Sequence, residues 1–296
     1  MLRSLVFSFA MLAVSLGPCA AQMTPRVVDT TKEASNPSPN PHSGPAAGSS
    51  SAPEDSAAEN ELLESANKNR ELAGVPPLRM EESLRAAARV HASRMVESQQ
   101  FEHQLPGEPS LFERIAQVSL LTMDRAGENI AYADSGPQVN ENLMRSPRHR
   151  ENLLDPEFNV AGIAALWSKG RLYVVQDFAH EVPSYSAQQT GKLIGRVIGE
   201  MRQQAGLPEL VQRTPPKLDE AVCSLARDNS PNPHLLAPAY ENRRLITYTQ
   251  SRPEVLPPAA VSMLRDPGVH QFAVGACYAR NAAHPTGTYW VAIFLF

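Results

Sequence analysis

A chain of 296 residues, 42% hydrophobic and 20% charged, carries enough apolar surface for one large or two small cores. Its net charge of -4 gives no basic footprint for a nucleic acid. Past the first twenty-odd residues, no run approaches the ~20 apolar residues that a helical membrane span needs, so neither a nucleic-acid partner nor such a span is expected.

Residues 1–21 read as a secretory signal peptide: basic Arg3, an apolar run from Leu5 to Leu16, the breaker Gly17-Pro18, and small residues ending at Ala21, where cleavage is expected. Lipidation at Cys19 is the weaker alternative, because Pro18 is a poor residue before such a site. The mature protein is therefore expected in the periplasm or outside the cell, and an envelope association is compatible with that. Residues 22–55, rich in Pro, Ser and Ala, have few groups able to offset ordering entropy and read as a disordered linker.

Ser56-Ala57-Ala58-Glu59 has the capping-box pattern and starts a helix that ends at Gly74, ahead of Pro76-Pro77. In the next helix Leu84, Ala88, His91 and Met95 share one stripe, so His91 is read as a core histidine bonded to a neighbour. Ser110 to Glu113 is a second capping box, opening a short helix with Leu111, Ile115 and Val118. Pro137 begins a helix that runs to Arg145. Ser146-Pro147 restarts another, with Ser146 as N-cap and its hydroxyl occupied there. His149 falls in the first turn, where the helix dipole is expected to keep its imidazole neutral. Val160 to Trp167 and Arg171 to Phe178, separated by Ser168-Lys169-Gly170, read as a β-hairpin.

These pieces carry titratable groups: His103 in a polar loop, Glu128 in GEN and His149 in SPRHREN. Polar groups set against core-forming runs mark a candidate site. Asn67 and Arg70, PPL at 76–78, HASRM at 91–95, FEH at 101–103, GENIAY at 127–132, SPRHRENLLDPEF at 146–158, VAGIAA at 160–165 and YVVQDF at 173–178 follow one another in an order that resembles bacterial CAP domains. That superfamily comprises the cysteine-rich secretory, antigen 5 and pathogenesis-related class 1 proteins, also called SCP-like. The resemblance implies an α/β fold, a three-layer α/β/α sandwich over residues 56–181, with a groove lined by His103, Glu128, His149, Ser146 and Arg148. Where eukaryotic members carry a tryptophan and a second glutamate, this sequence has Leu143 and Ser146, and Arg148 replaces the usual glycine.

Two histidines and a carboxylate with an open position match a zinc site. His103, His149 and Glu128 are thus expected to bind a divalent metal such as zinc weakly. Glu128 is the candidate base if there is catalysis; alternatively it only accepts backbone N–H bonds and fixes a turn. Three functions stay open: a binding or interaction module for a lipid, glycan or peptide ligand, a metal-dependent hydrolase of peptidase type, and a structural envelope protein. Asp177 is a further carboxylate at the strand end.

The second half repeats the pattern. Arg202, Ala205-Gly206, Pro208, Leu210 and Leu218 align with Arg70, Ala73-Gly74, Pro76, Leu78 and Leu84, and the last strands resemble the first hairpin, so residues 186–296 read as a shortened, degenerate CAP-like α/β domain. It has no counterpart of SPRHREN, while His234 and Glu241-Asn242 only vaguely match FEH and GEN. With Cys19 removed, Cys223 and Cys277 remain, on a helix and a strand expected to pack together in an exported protein. They are expected to form a disulfide, with two buried thiols as the alternative.

Overall fold

The computed structural model describes residues 26–28, 53–230, 232, 236 and 244–296. The signal peptide, Cys19, most of the linker, His234 and Glu241-Asn242 lie outside the described residues. Two sheets organise the rest. The first contains β1 (Arg26–Val28), β2 (Arg79–Met80), β3 (Met123–Ala133), β4 (Val160–Ser168) and β5 (Arg171–Glu181), in the order β1-β3-β5-β4-β2. The hairpin β4–β5 turns through Lys169 and Gly170, both at positive φ.

Alternation along these strands sorts the core into two layers. Ala161, Ile163, Val174 and Phe178 pack with Leu62, Val139 and Leu143, the side covered by α1 (Ser56–Ala73), α4 (Gly136–Arg145) and α5 (Pro147–Leu154). Ala164, Val175, Val160 and Ala179 face Ala88, Leu84 and Ile115 on the opposite side, under α2 (Glu82–Ser98) and α3 (Leu111–Val118). This is the expected three-layer α/β/α arrangement. Helix α2 lies very close to the sheet: a Cβ built on Gly162 would sit 2.1 Å from the backbone carbon of Leu84. Only glycine fits there.

Two local expectations need correction. The N-cap of α1 is Asp55, whose carboxylate accepts from the Ala58 N–H, and not Ser56. Both Asp55 and the two residues before it are tied to β4: Trp167 N–H donates to Pro53 O, Glu54 bridges Leu166, and Trp167 Nε1 donates to Asp55. Arg26–Val28 also departs from a disordered reading, because β1 pairs in parallel with Arg125 to Gly127. A side-chain cap decides the first and backbone pairing the second, and composition registers neither.

The second sheet, with β6 (Val211–Arg213), β7 (Arg244–Gln250), β8 (Gln271–Asn281) and β9 (His284–Leu295), has the order β6-β8-β9-β7. Read from its edge, this matches β2-β4-β5-β3. The helices α6 (Ala187–Gln204) and α8 (Pro258–Leu264) cover one face and α7 (Leu218–Arg227) the other. Cys223 on α7 and Cys277 on β8 are joined in a disulfide, with Cα atoms 5.1 Å apart.

The two units share unusual interactions. Arg70 is fully buried and donates to Pro76 O, Leu153 O, Asp155 O and Phe158 O. Arg202, equally buried, donates to Pro208 O, Leu264 O and Asp266 O. Arg125 pairs with Asp155, and Arg244 with Asp266. Between β7 and α8, however, the chain passes directly through Ser251–Pro257, with no helix in the place of α4.

Candidate functional site

Glu128 lies on β3 directly opposite Asp177 on β5, which sets both side chains on the face covered by α2 and α3. The FEH loop after α2 brings His103 over them, and its Nδ1 lies 2.8 Å from Glu128 Oε1. A carboxylate only accepts, so Nδ1 carries the proton. The other carboxylate oxygen receives Arg114 Nη2 from α3. Arg114 also donates to His103 O at 3.3 Å and Pro109 O at 3.4 Å, and its Nη1 lies 3.6 Å from Glu108 Oε2. His91, buried on α2, places Nδ1 2.9 Å from Glu108 and Nε2 3.9 Å from Glu128. His91 is thus a bonded core histidine whose partners belong to the site.

On the opposite face of β3, Asn129 and Asn152 tie α5 down. Asn152 Nδ2 donates to Glu128 O and Asn129 Oδ1, and Asn129 Nδ2 donates to His149 O. His149 and His103 therefore come from opposite layers, with ring centroids 6.4 Å apart. His103 keeps 18% of its side-chain surface exposed and His149 is half-buried, whereas Glu128, Arg114, Glu108 and Asp177 are buried. Only the histidine edge of the cluster meets solvent.

Electrostatics follow from this packing. Burial pushes the Glu128 carboxyl up, but the His103 hydrogen bond and the charge of Arg114 outweigh it and hold the pKa below the ordinary glutamate value. Asp177 goes the other way: burial, then the negative charge of Glu128, raise it well above 3.8. Neither Asp177 oxygen receives a hydrogen bond from a donor group, and the protonated carboxyl can itself donate to Glu128, so the neutral acid is the form this position favours. His149 is lowered to about 4, by burial first and the His103 charge second. It is neutral, as expected, with desolvation as the main cause.

The Asp177 shift has a testable sign. A carboxyl with a folded pKa above its unfolded value contributes stability below about 4 that is lost as pH rises through the folded pKa, at about 1.4 kcal/mol per unit. Asp177→Asn keeps the shape and cannot ionise. In urea unfolding it is expected to be more stable than wild type by about 1 kcal/mol or more at pH 8 and to converge with it near pH 4. Parallel pH profiles would show that Asp177 carries no such shift.

The metal expectation does not fit this geometry. Among the described residues no group of three His, Cys, Asp or Glu side chains is arranged to hold a metal ion. The physical reason is that both Glu128 oxygens are engaged, one by His103 Nδ1 and one by a guanidinium that already supplies the positive charge. Glu128 is equally ill-suited as a base, since a lowered pKa makes a poor proton acceptor. Ser146 is the N-cap of α5, but its hydroxyl makes no cap hydrogen bond, contrary to expectation. Arg148 is exposed on the same helix.

Sequence reasoning missed Arg114 and Glu108. Arg114 lies three residues after Leu111 and four before Val118, on the apolar stripe of α3, and a charge on such a stripe is the available signal. Glu108 gives none, because its role depends on a loop folding under His91.

Residues 63–178 match the sequence model of the cysteine-rich secretory protein family, CAP. The chain carries a CAP domain. A relative in Bacillus subtilis (strain 168), the uncharacterized protein YkwD, is 34% identical over 109 residues, 36% of this chain and 42% of that protein. The match thus spans less than half the length of that curated relative. Among solved structures, an extracellular SCP-domain protein of Bacillus anthracis is 23% identical, covers 42% of this chain and 41% of its own, and has a TM-score of 0.38. Na-ASP-1 is 6% identical with a TM-score of 0.49, covering 81% of this chain and 89% of its own.

Strand register lets the two units be compared position by position. Counting from the paired arginines Arg125 and Arg244, Glu128 falls on Thr247, and Thr247 pairs with Ala292 as Glu128 pairs with Asp177. The carboxylate pair has no counterpart there. A cavity of about 830 Å³ does open in the second unit, between α6 and β6, lined by Leu193, Gly195, Ile198, Leu210, Gln212 and Phe272. It lies apart from the His–Glu–Arg cluster of the CAP domain.

Proposed function

We propose that this is an exported CAP-domain binding module whose site takes a ligand carrying hydroxyl or amide groups, a glycan or a peptide. The observation that carries the reading is the division of the site. Its buried carboxylates are partnered within the protein, Glu128 by Arg114 and His103 and Glu108 by His91, and its solvent edge is formed by His103 and the neutral His149. A neutral imidazole offers one donor and one acceptor, which suits uncharged polar groups better than an anion or a metal. An acyl chain finds less support, since the edge is polar. Export rests on the N-terminal pattern; among the described residues no helix is long and apolar enough to cross a membrane. The second unit is a shortened copy that keeps the buried arginine and the sheet order and lacks the site.

The test is chemical-shift mapping of the imidazole resonances with two probes, an N-acetylglucosamine oligosaccharide and a short alanine-rich peptide. One probe is expected to move the His103 and His149 signals together, and His149→Ala to weaken its binding at least tenfold. Zinc added in place of these probes is expected to produce no one-to-one saturation at neutral pH. Saturable zinc binding lost in a His103→Ala/His149→Ala double variant would overturn the reading in favour of a metal centre.

A further inference from the structure

Arg114 reaches the site from an eight-residue helix whose far end is held by the second unit. Helix α3 packs against β9, and Arg280, on β8, donates Nη1 to Ser119 O at 2.6 Å and to Ala116 O at 3.5 Å, and Nη2 to Leu121 O at 3.3 Å. Those three carbonyls lie in the last turn of α3 and the segment just after it, where a helix leaves acceptors without intrahelical donors and where positive charge is favoured. One turn earlier, Arg114 binds Glu128 and two carbonyls of the loop that carries His103. Within the CAP domain α3 has a further tie at the same end, from Ser83 Oγ to Ser119 Oγ.

We propose that Arg280 is a positioning residue for the CAP site: through its guanidinium the second unit fixes α3 and so holds the Arg114 charge and the His103 loop against Glu128. This gives the second unit a role although it lacks the site residues. The inference concerns the site's own geometry and needs no ligand, so it stands or falls apart from the binding reading.

Amide hydrogen exchange on the full exported chain tests it. In Arg280→Ala, exchange across residues 111–121 is expected to quicken at least tenfold while β4 and β5 keep wild-type rates, with Arg280→Lys falling between. Because both arginines act through one helix, adding Arg280→Ala to Arg114→Met is expected to quicken α3 by less than the product of the two single effects. If the alanine variant fails to fold, Arg280→Gln, which keeps one donor group, takes its place. Unchanged exchange in α3, an equal acceleration throughout both units, or fully multiplicative effects of the two substitutions would each overturn the proposal.

Discussion

Arg114→Met is expected to cost the CAP domain about 3 to 5 kcal/mol, the penalty typical of removing one partner from a buried ion pair. Arg114 has 2% of its side chain exposed, and its loss leaves Glu128, 5% exposed, without its guanidinium partner and Glu108, 1% exposed, with only His91 and, at 3.7 Å, Arg94. Methionine fills much of the volume, so the loss is electrostatic more than steric. Combining the change with Glu128→Gln removes the stranded charge and is expected to recover at least half of the loss. The measurement is urea unfolding at pH 7, followed by a probe local to the first sheet. A single variant within about 1 kcal/mol of wild type would mean that the network is neutral to the fold.

The second large effect lies at the base of each unit. Arg70→Met removes donors from four carbonyls, those of Pro76, Leu153, Asp155 and Phe158, at distances of 2.6 to 2.9 Å. Each stranded buried acceptor costs roughly 1 to 3 kcal/mol before relaxation, so a net loss of about 3 to 5 kcal/mol is expected. Arg202→Met is expected to cost the second unit about 1 to 2 kcal/mol less, because Arg202 serves three carbonyls and its buried Nη2 has no hydrogen-bond partner. Two units need not melt together, so calorimetry should be read as separate transitions. Equal losses would indicate that the fourth hydrogen bond of Arg70 contributes nothing.

The fold was legible in the sequence where local rules act alone. Gly74, Ser110 with Glu113, and Lys169-Gly170 each mark a boundary through their own backbone preferences, and the structure places a cap or a turn at each. Strand β3 was not legible. Its run MDRAGENIAYA mixes polar and apolar residues without clean alternation, because Glu128 and Asn129 are both buried, on opposite faces, by partners distant in sequence. The site was half legible for the same reason. His103, Glu128 and His149 stand out as titratable groups beside apolar runs, and Asp177 as a carboxylate at a strand end, whereas the raised pKa of Asp177 and the role of Glu108 arise only when a strand register and a loop bring them against Glu128 and His91. Their chemistry is a property of the contact, and a contact between residues 17 or more positions apart leaves no local trace.

The missing side chain at Gly162 reaches further than the space it leaves. It lets α2 settle onto β4 with backbone nearly touching backbone, and His91 rides on that helix two turns beyond Leu84. The height of His91 above Glu128, and so the spacing of the whole charge cluster, is set by the thickness of one absent methyl group. A single added carbon there would act as a shim, lifting the roof of the site without touching any residue in it.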